Sequence, residues 1–124
     1  MIASHLSRPL GVLIRDMNKY SLNLMSRNLM LTVMEEDLKR QVTEDDVNHF
    51  VLDWLGNQGI ANDNIFVENG AGLSRKTYIN ADTLLEIMDK IYEHPYMPEM
   101  LSSLSVLNED GTLEKKMPFS KVKK

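Results

Sequence analysis

In four separate stretches the apolar residues of this chain return at three- and four-residue steps, a period that only packed helices satisfy. The first set is Leu10, Leu13, Ile14 and Met17. Ser7 before Arg8-Pro9-Leu10 reads as its cap, because a serine hydroxyl takes up an orphan amide and proline tolerates the first turn. That helix is predicted to run to about Lys19, with a short polar break from Asn18 to Asn23. The second set, Leu24, Met25, Leu29, Met30, Val33, Met34 and Leu38, spans more than a third of a turn and predicts a helix buried on much of its circumference. Thr43 with Asp46 forms a capping box with Asp in place of Glu. It leads into the stripe Val47, Phe50, Val51, Trp54 and Leu55, ended by Gly56 and Gly59. Asn80 caps the fourth, in which Leu84, Leu85, Met88, Ile91 and Tyr92 share a face, closed by Pro95 and Pro98. A short last helix is expected from Glu99 to about Leu107, then a turn at Asn108 to Gly111. Only Ile65-Phe66-Val67, brief and partly β-branched, reads as extended, entering the small-residue loop Asn69-Gly70-Ala71-Gly72.

With 124 residues the chain can bury roughly two thirds of its unfolded surface, enough for one core without staples. Disorder and collagen-like repeats are excluded. The absence of cysteine removes disulfides, thiol nucleophiles and thiolate zinc sites. No run reaches the roughly 18 to 20 apolar residues of a membrane span, and the Met1 segment has no basic end followed by an apolar run, so neither anchor nor signal peptide is expected here. Acidic side chains outnumber basic ones 18 to 14, which argues against a nucleic-acid partner. The lysine-rich tail, residues 114–124, is read as a solvated end in preference to a phosphate-binding arm.

Each candidate for chemistry has a plainer reading. His5, His49 and His94 lie in no paired metal spacing, and His49 with Asp53 one helical turn on reads as a surface pair before it reads as two metal ligands. Neither metal nor cofactor is expected. The nine methionines read as packing. Ser120 and Lys123 match Ser-x-x-Lys by chance in a lysine-rich terminus. The loop from Asn69 to Arg75 lacks both the dinucleotide-loop spacing and the P-loop lysine, and Ser21-Leu22-Asn23 alone could be a helix cap.

Taken together the pieces carry more. Arg8-Pro9-Leu10, then Lys19-Tyr20-Ser21-Leu22-Asn23-Leu24-Met25, then Glu68-Asn69-Gly70-Ala71-Gly72-Leu73-Ser74-Arg75, then Glu109-Asp110-Gly111-Thr112-Leu113 stand in that order with helices between them. The ordered set, from about Leu6 to Met117, resembles the D-alanyl-D-alanine carboxypeptidase/endopeptidase family of class C, low-molecular-mass penicillin-binding proteins. Such enzymes use Ser-x-x-Lys, Ser-x-Asn and Lys-Thr-Gly in chain order. Only the second is placed usably here. Leu22 is apolar where the family more often has a polar residue, and Ala71 replaces the serine common in Gly-Ser-Gly-Leu-Ser.

The resemblance implies a mainly α fold, about five helices with a short extended segment, forming the helical part of a β-lactamase/transpeptidase-like domain. Residues 1–124 would be a single partial domain. Ser21 would relay a proton toward the leaving amine and Asn23 would hydrogen-bond a peptide or β-lactam amide. Lys19 would add positive field for a terminal carboxylate, and Asn69, Gly70, Gly72 and Ser74 would back the substrate wall, more scaffold than reagent. The implied whole is a serine-type peptidase of the periplasm or cell envelope that works through an acyl-enzyme on peptidoglycan stem peptides and is acylated by penicillins. Without the nucleophile element this chain is expected to be inactive alone. Its apolar face, left by an absent sheet, would favour self-association. The alternative is a non-catalytic helical binding or regulatory module.

Overall fold

Helix α1, Leu10–Tyr20, opens on Pro9, whose carbonyl accepts the amides of Val12 and Leu13 at 3.0 and 3.3 Å. Ser7 is therefore not the cap: the ladder starts from the proline itself, which pre-sets the backbone and needs no side-chain acceptor. The remaining elements are α2 (Asn23–Leu38), α3 (Val47–Asn57), β1 (Ile65–Phe66), β2 (Tyr78–Ile79), α4 (Ala81–Glu93) and α5 (Met97–Ser103). They come from a computed structural model, described at residues 4, 6–60 and 63–114. Among the described residues, five α-helices and one small antiparallel sheet make the mainly α class that the apolar period implies.

The chain divides into two compact units. One consists of Met1–Leu22 and Pro95–Lys124. In it α1 packs on α5 and on a short 3-10 turn at Gly111–Leu113. Ser103, fully buried, accepts from Asn18 Nδ2 at 2.8 Å and donates to the Met100 carbonyl at 2.6 Å. Pro98 does not close the preceding helix. It sits in the first turn of α5, where the missing N–H costs nothing, so this helix starts earlier than the sequence implies and stops at Leu104 in extended backbone.

The other unit is Asn23–His94. Its core is Leu55, Ile60 and Ile65, with Val51, Leu52, Val67 and Ile87 packed around them, and Met34 and Val47 are also fully buried. The capping box forms as expected at a 3-10 turn before α3: the Thr43 amide donates to Asp46 Oδ2 at 2.9 Å. Gly59 takes the left-handed backbone after α3, whereas Gly56 stays helical. Ile65 pairs with Ile79 and Phe66 with Tyr78, the two rings stacked at 6.3 Å. The extended segment thus has a partner the sequence did not announce, and Val67 leaves the ladder to donate to Asn48 Oδ1 at 3.0 Å.

Two burial expectations are overturned. Met34 is the only fully buried residue of α2, and Leu24 and Val33 are exposed, because α2 lays only a narrow strip on its neighbour. In α4 Thr83 is buried and Ile87 and Ile91 are half-buried, each a turn on from the last, while Leu84, Leu85, Met88 and Tyr92 face out. The Asn80 cap itself is as expected, its Oδ1 accepting from the Thr83 amide at 2.7 Å.

Candidate active site

Ser21 ends α1 in the left-handed region, φ 53° and ψ 52°, a conformation usual for glycine and costing a β-carbon residue about 1–2 kcal/mol. The amides of Ser21 and Leu22 both turn back onto the Met17 carbonyl, the latter at 3.0 Å. The Ser21 side chain is exposed. Two residues earlier the Lys19 ammonium is largely covered and committed: it donates to the Leu104 carbonyl at 3.0 Å and pairs with Asp110. That contact holds the Asp110 carboxyl below the usual carboxylate range, with help from the Val106 amide, which donates to Asp110 Oδ1 at 2.9 Å. Nothing in the spacing of the sequence announced this partner for Lys19.

Asn23 begins α2 and belongs to the other unit. Its Nδ2 donates to the Ala71 carbonyl at 2.6 Å. Since a carbonyl can only accept, the NH₂ end must be the one facing it. One turn on, Ser26 donates to the Gly70 carbonyl at 2.6 Å. Sequence reasoning missed Ser26, although its three-residue step from Asn23 puts both on one face of α2.

The glycine loop is held just as closely from within. Asn69 Oδ1 accepts from the Ala71 amide at 3.2 Å, forming the local turn that asparagine favours. Gly70 has φ 61°, and a β-carbon there would stand 3.1 Å from Met30 Cβ. Gly72 has φ 76° with only Asn23 Nδ2, at 4.0 Å, near the same position. Ser74 Oγ accepts from the Lys76 amide at 3.0 Å. Lys76 Nζ closes the loop on Glu68 Oε1 at 2.8 Å, a bond that raises the Lys76 ammonium and, with the Ser74 hydroxyl second to it, lowers the Glu68 carboxyl. Asn23 is thereby joined to the stretch holding Asn69, Gly70, Gly72 and Ser74.

The other sequence candidates fall elsewhere. His49 Nε2 stands 3.2 Å from Asp53 Oδ2 on the surface of α3, the plainer of its two readings. Among the described residues no group of three His, Asp or Glu could hold a metal ion. His5, the Ser120-x-x-Lys123 match and the lysine tail beyond Glu114 lie outside the described residues.

The chain belongs to the D-Ala-D-Ala carboxypeptidase 3 (S13) family, whose model matches residues 1–123. It is 28% identical over 113 residues to the D-alanyl-D-alanine carboxypeptidase DacB of Haemophilus influenzae, a match covering 91% of this chain and 24% of that protein. Among solved structures it is similar to penicillin binding protein 4 (dacB) from the same organism, with a TM-score of 0.81 at 28% identity, covering 90% of this chain and 25% of that one. The same protein complexed with a novel β-lactam matches with a TM-score of 0.78, over 90% of this chain and 26% of that one. The helices here correspond to a helical portion of that fold, and the chain spans about a quarter of the length of these relatives. The resemblance carried by Ser21-Leu22-Asn23 and the Asn69 to Arg75 loop is therefore to the right family.

Proposed function

We propose that this chain supplies the Ser-x-Asn wall of a serine-type D-Ala-D-Ala carboxypeptidase that trims peptidoglycan stem peptides in the cell envelope. The observation that carries the reading is the Asn23 bond to Ala71, which joins the two segments on which the family resemblance rests. In this role the exposed Ser21 hydroxyl passes a proton to the departing amine, since acyl transfer stalls unless that nitrogen is protonated. Asn23 offers a substrate amide its Oδ1 and the amide hydrogen not spent on Ala71. The loop that carries Asn69, Gly70, Gly72 and Ser74 backs Asn23 through the Ala71 carbonyl, as scaffold and not as reagent.

The nucleophile of a Ser-x-x-Lys element and the Lys-Thr-Gly strand come from sequence beyond these residues, and the chain alone is inactive because positioning groups without a nucleophile form no acyl-enzyme. The exposed stripe Leu84, Leu85, Met88 and Tyr92 on α4 is apolar surface of the kind another part of such an enzyme covers. Intact mass after incubation with a fluorescent penicillin tests the reading. A covalent adduct is expected on a protein extended in both directions along the gene and none on the 124-residue chain. No adduct on either sinks the acyl-enzyme claim and favours a helical binding module.

A further inference from the structure

We propose that Asp110, with Gly111 and Ser105, is a positioning set for Ser21, acting through Lys19 at the end of α1. The inference rests on the reading of Ser21 as a functional hydroxyl. Lys19 is held at both ends. Its ammonium binds Asp110 and the Leu104 carbonyl, while its own main-chain carbonyl accepts from Ser105 Oγ at 3.0 Å. Asn18 beside it is tied to the buried Ser103. These contacts come from 85 to 91 residues further along the chain and converge on the last turn before Ser21.

The turn that delivers Asp110 is itself shaped for the approach. Gly111 has φ 61°, and a β-carbon on it would collide with the Lys19 carbonyl and with Ser105 Oγ. Asp110 is anchored in turn by the Val106 amide, and Asn108, also left-handed, donates its amide to the Leu113 carbonyl at 3.0 Å. A serine in the left-handed region persists only where its surroundings over-determine it, and this clamp supplies that constraint two residues upstream. Lys19 is accordingly a structural cation whose charge is already neutralised, which reassigns it from the substrate's carboxylate to the placement of Ser21.

Two measurements test this. In the 124-residue chain, Asp110→Asn and Lys19→Gln are each expected to speed amide exchange at Ser21 and Leu22 about tenfold and leave α3 unchanged. The double variant should fall short of the sum of the two singles, since the Lys19–Asp110 bond is lost in all three. Asp46→Asn, in the other unit, is the control. In the extended enzyme, Asp110→Asn is expected to slow the acylation step about tenfold with little change in the noncovalent penicillin Kd, and Asp110→Glu to restore part of the rate. Unchanged exchange at Ser21 in a variant that keeps its helical circular dichroism overturns the proposal, and if Asp110→Asn fails to fold, Asp110→Glu and Lys19→Gln decide by the same readout. An intact acylation rate with an altered Kd also overturns it, returning Lys19 to the ligand's carboxylate. Exchange that responds as expected, in an enzyme that takes up no penicillin even as wild type, keeps the clamp and sinks the Ser21 reading.

Discussion

Gly70 and Gly72 both have positive φ, yet only Gly70 faces a wall. Replacing either with alanine brings the backbone cost of a left-handed residue, about 1–2 kcal/mol. At Gly70 the added carbon also presses on Met30 Cβ at 3.1 Å, the stiff base of that side chain. Gly70→Ala should therefore lower the urea midpoint more than Gly72→Ala, and Met30→Ala should recover little of the difference, since alanine keeps the Cβ and removes only the more distant Cγ and Cε contacts. Asn23→Ala removes the bond to Ala71 and strands its carbonyl, with an expected loss of about 1 kcal/mol by the same titration. The candidate residues themselves were legible in the sequence, because Ser-x-Asn and a glycine loop are contiguous patterns. Their hydrogen-bond partners were not, because Asn23 and Ala71 are 48 residues apart.

Helix α4 and the turn ahead of α3 begin on side-chain caps, and those caps set measurable costs. Asn80→Ala should destabilise by about 1 kcal/mol by leaving the Thr83 amide without its acceptor, a loss read from the thermal midpoint. Ahead of α3, the Arg40 hydrogen bond and then the Thr43 amide bring the Asp46 carboxyl from 3.8 down to about 2. The folded chain holds that proton more weakly than the unfolded one, so the contribution of the Arg40 and Thr43 bonds to Asp46 is complete above about 3.8. It declines as pH falls and is gone below about 2. Thermal midpoints of wild type and Asp46→Asn should differ at pH 5 and converge toward pH 2. Caps of this kind are readable in advance because they join residues three apart. Pro98 misleads for a related reason: proline both ends helices and opens them, and only the chain after Tyr96 decides which.

At the scale of the molecule, the outward stripe on α4 is the feature that isolated chains should betray. Sedimentation velocity is expected to show concentration-dependent association, reduced by Leu85→Glu, since Leu85 is 63% exposed at the centre of that stripe. A strictly monomeric chain at high concentration would remove the stripe as the cause. None of the described helices is long and apolar enough to cross a membrane.

Apolar period, caps and turn residues act within a few positions of one another, and from them the sequence determined that α1, α3 and α4 form and roughly where they begin. Its ordered motifs also determined the family. Which face of α4 is buried, the pairing of Ile65–Phe66 with Tyr78–Ile79, and the capture of Lys19 by Asp110 were decided only in the tertiary structure. A helical stripe states which residues avoid water but not which neighbour arrives to cover them. An ammonium and a carboxylate 91 residues apart carry no shared pattern until the fold closes the distance.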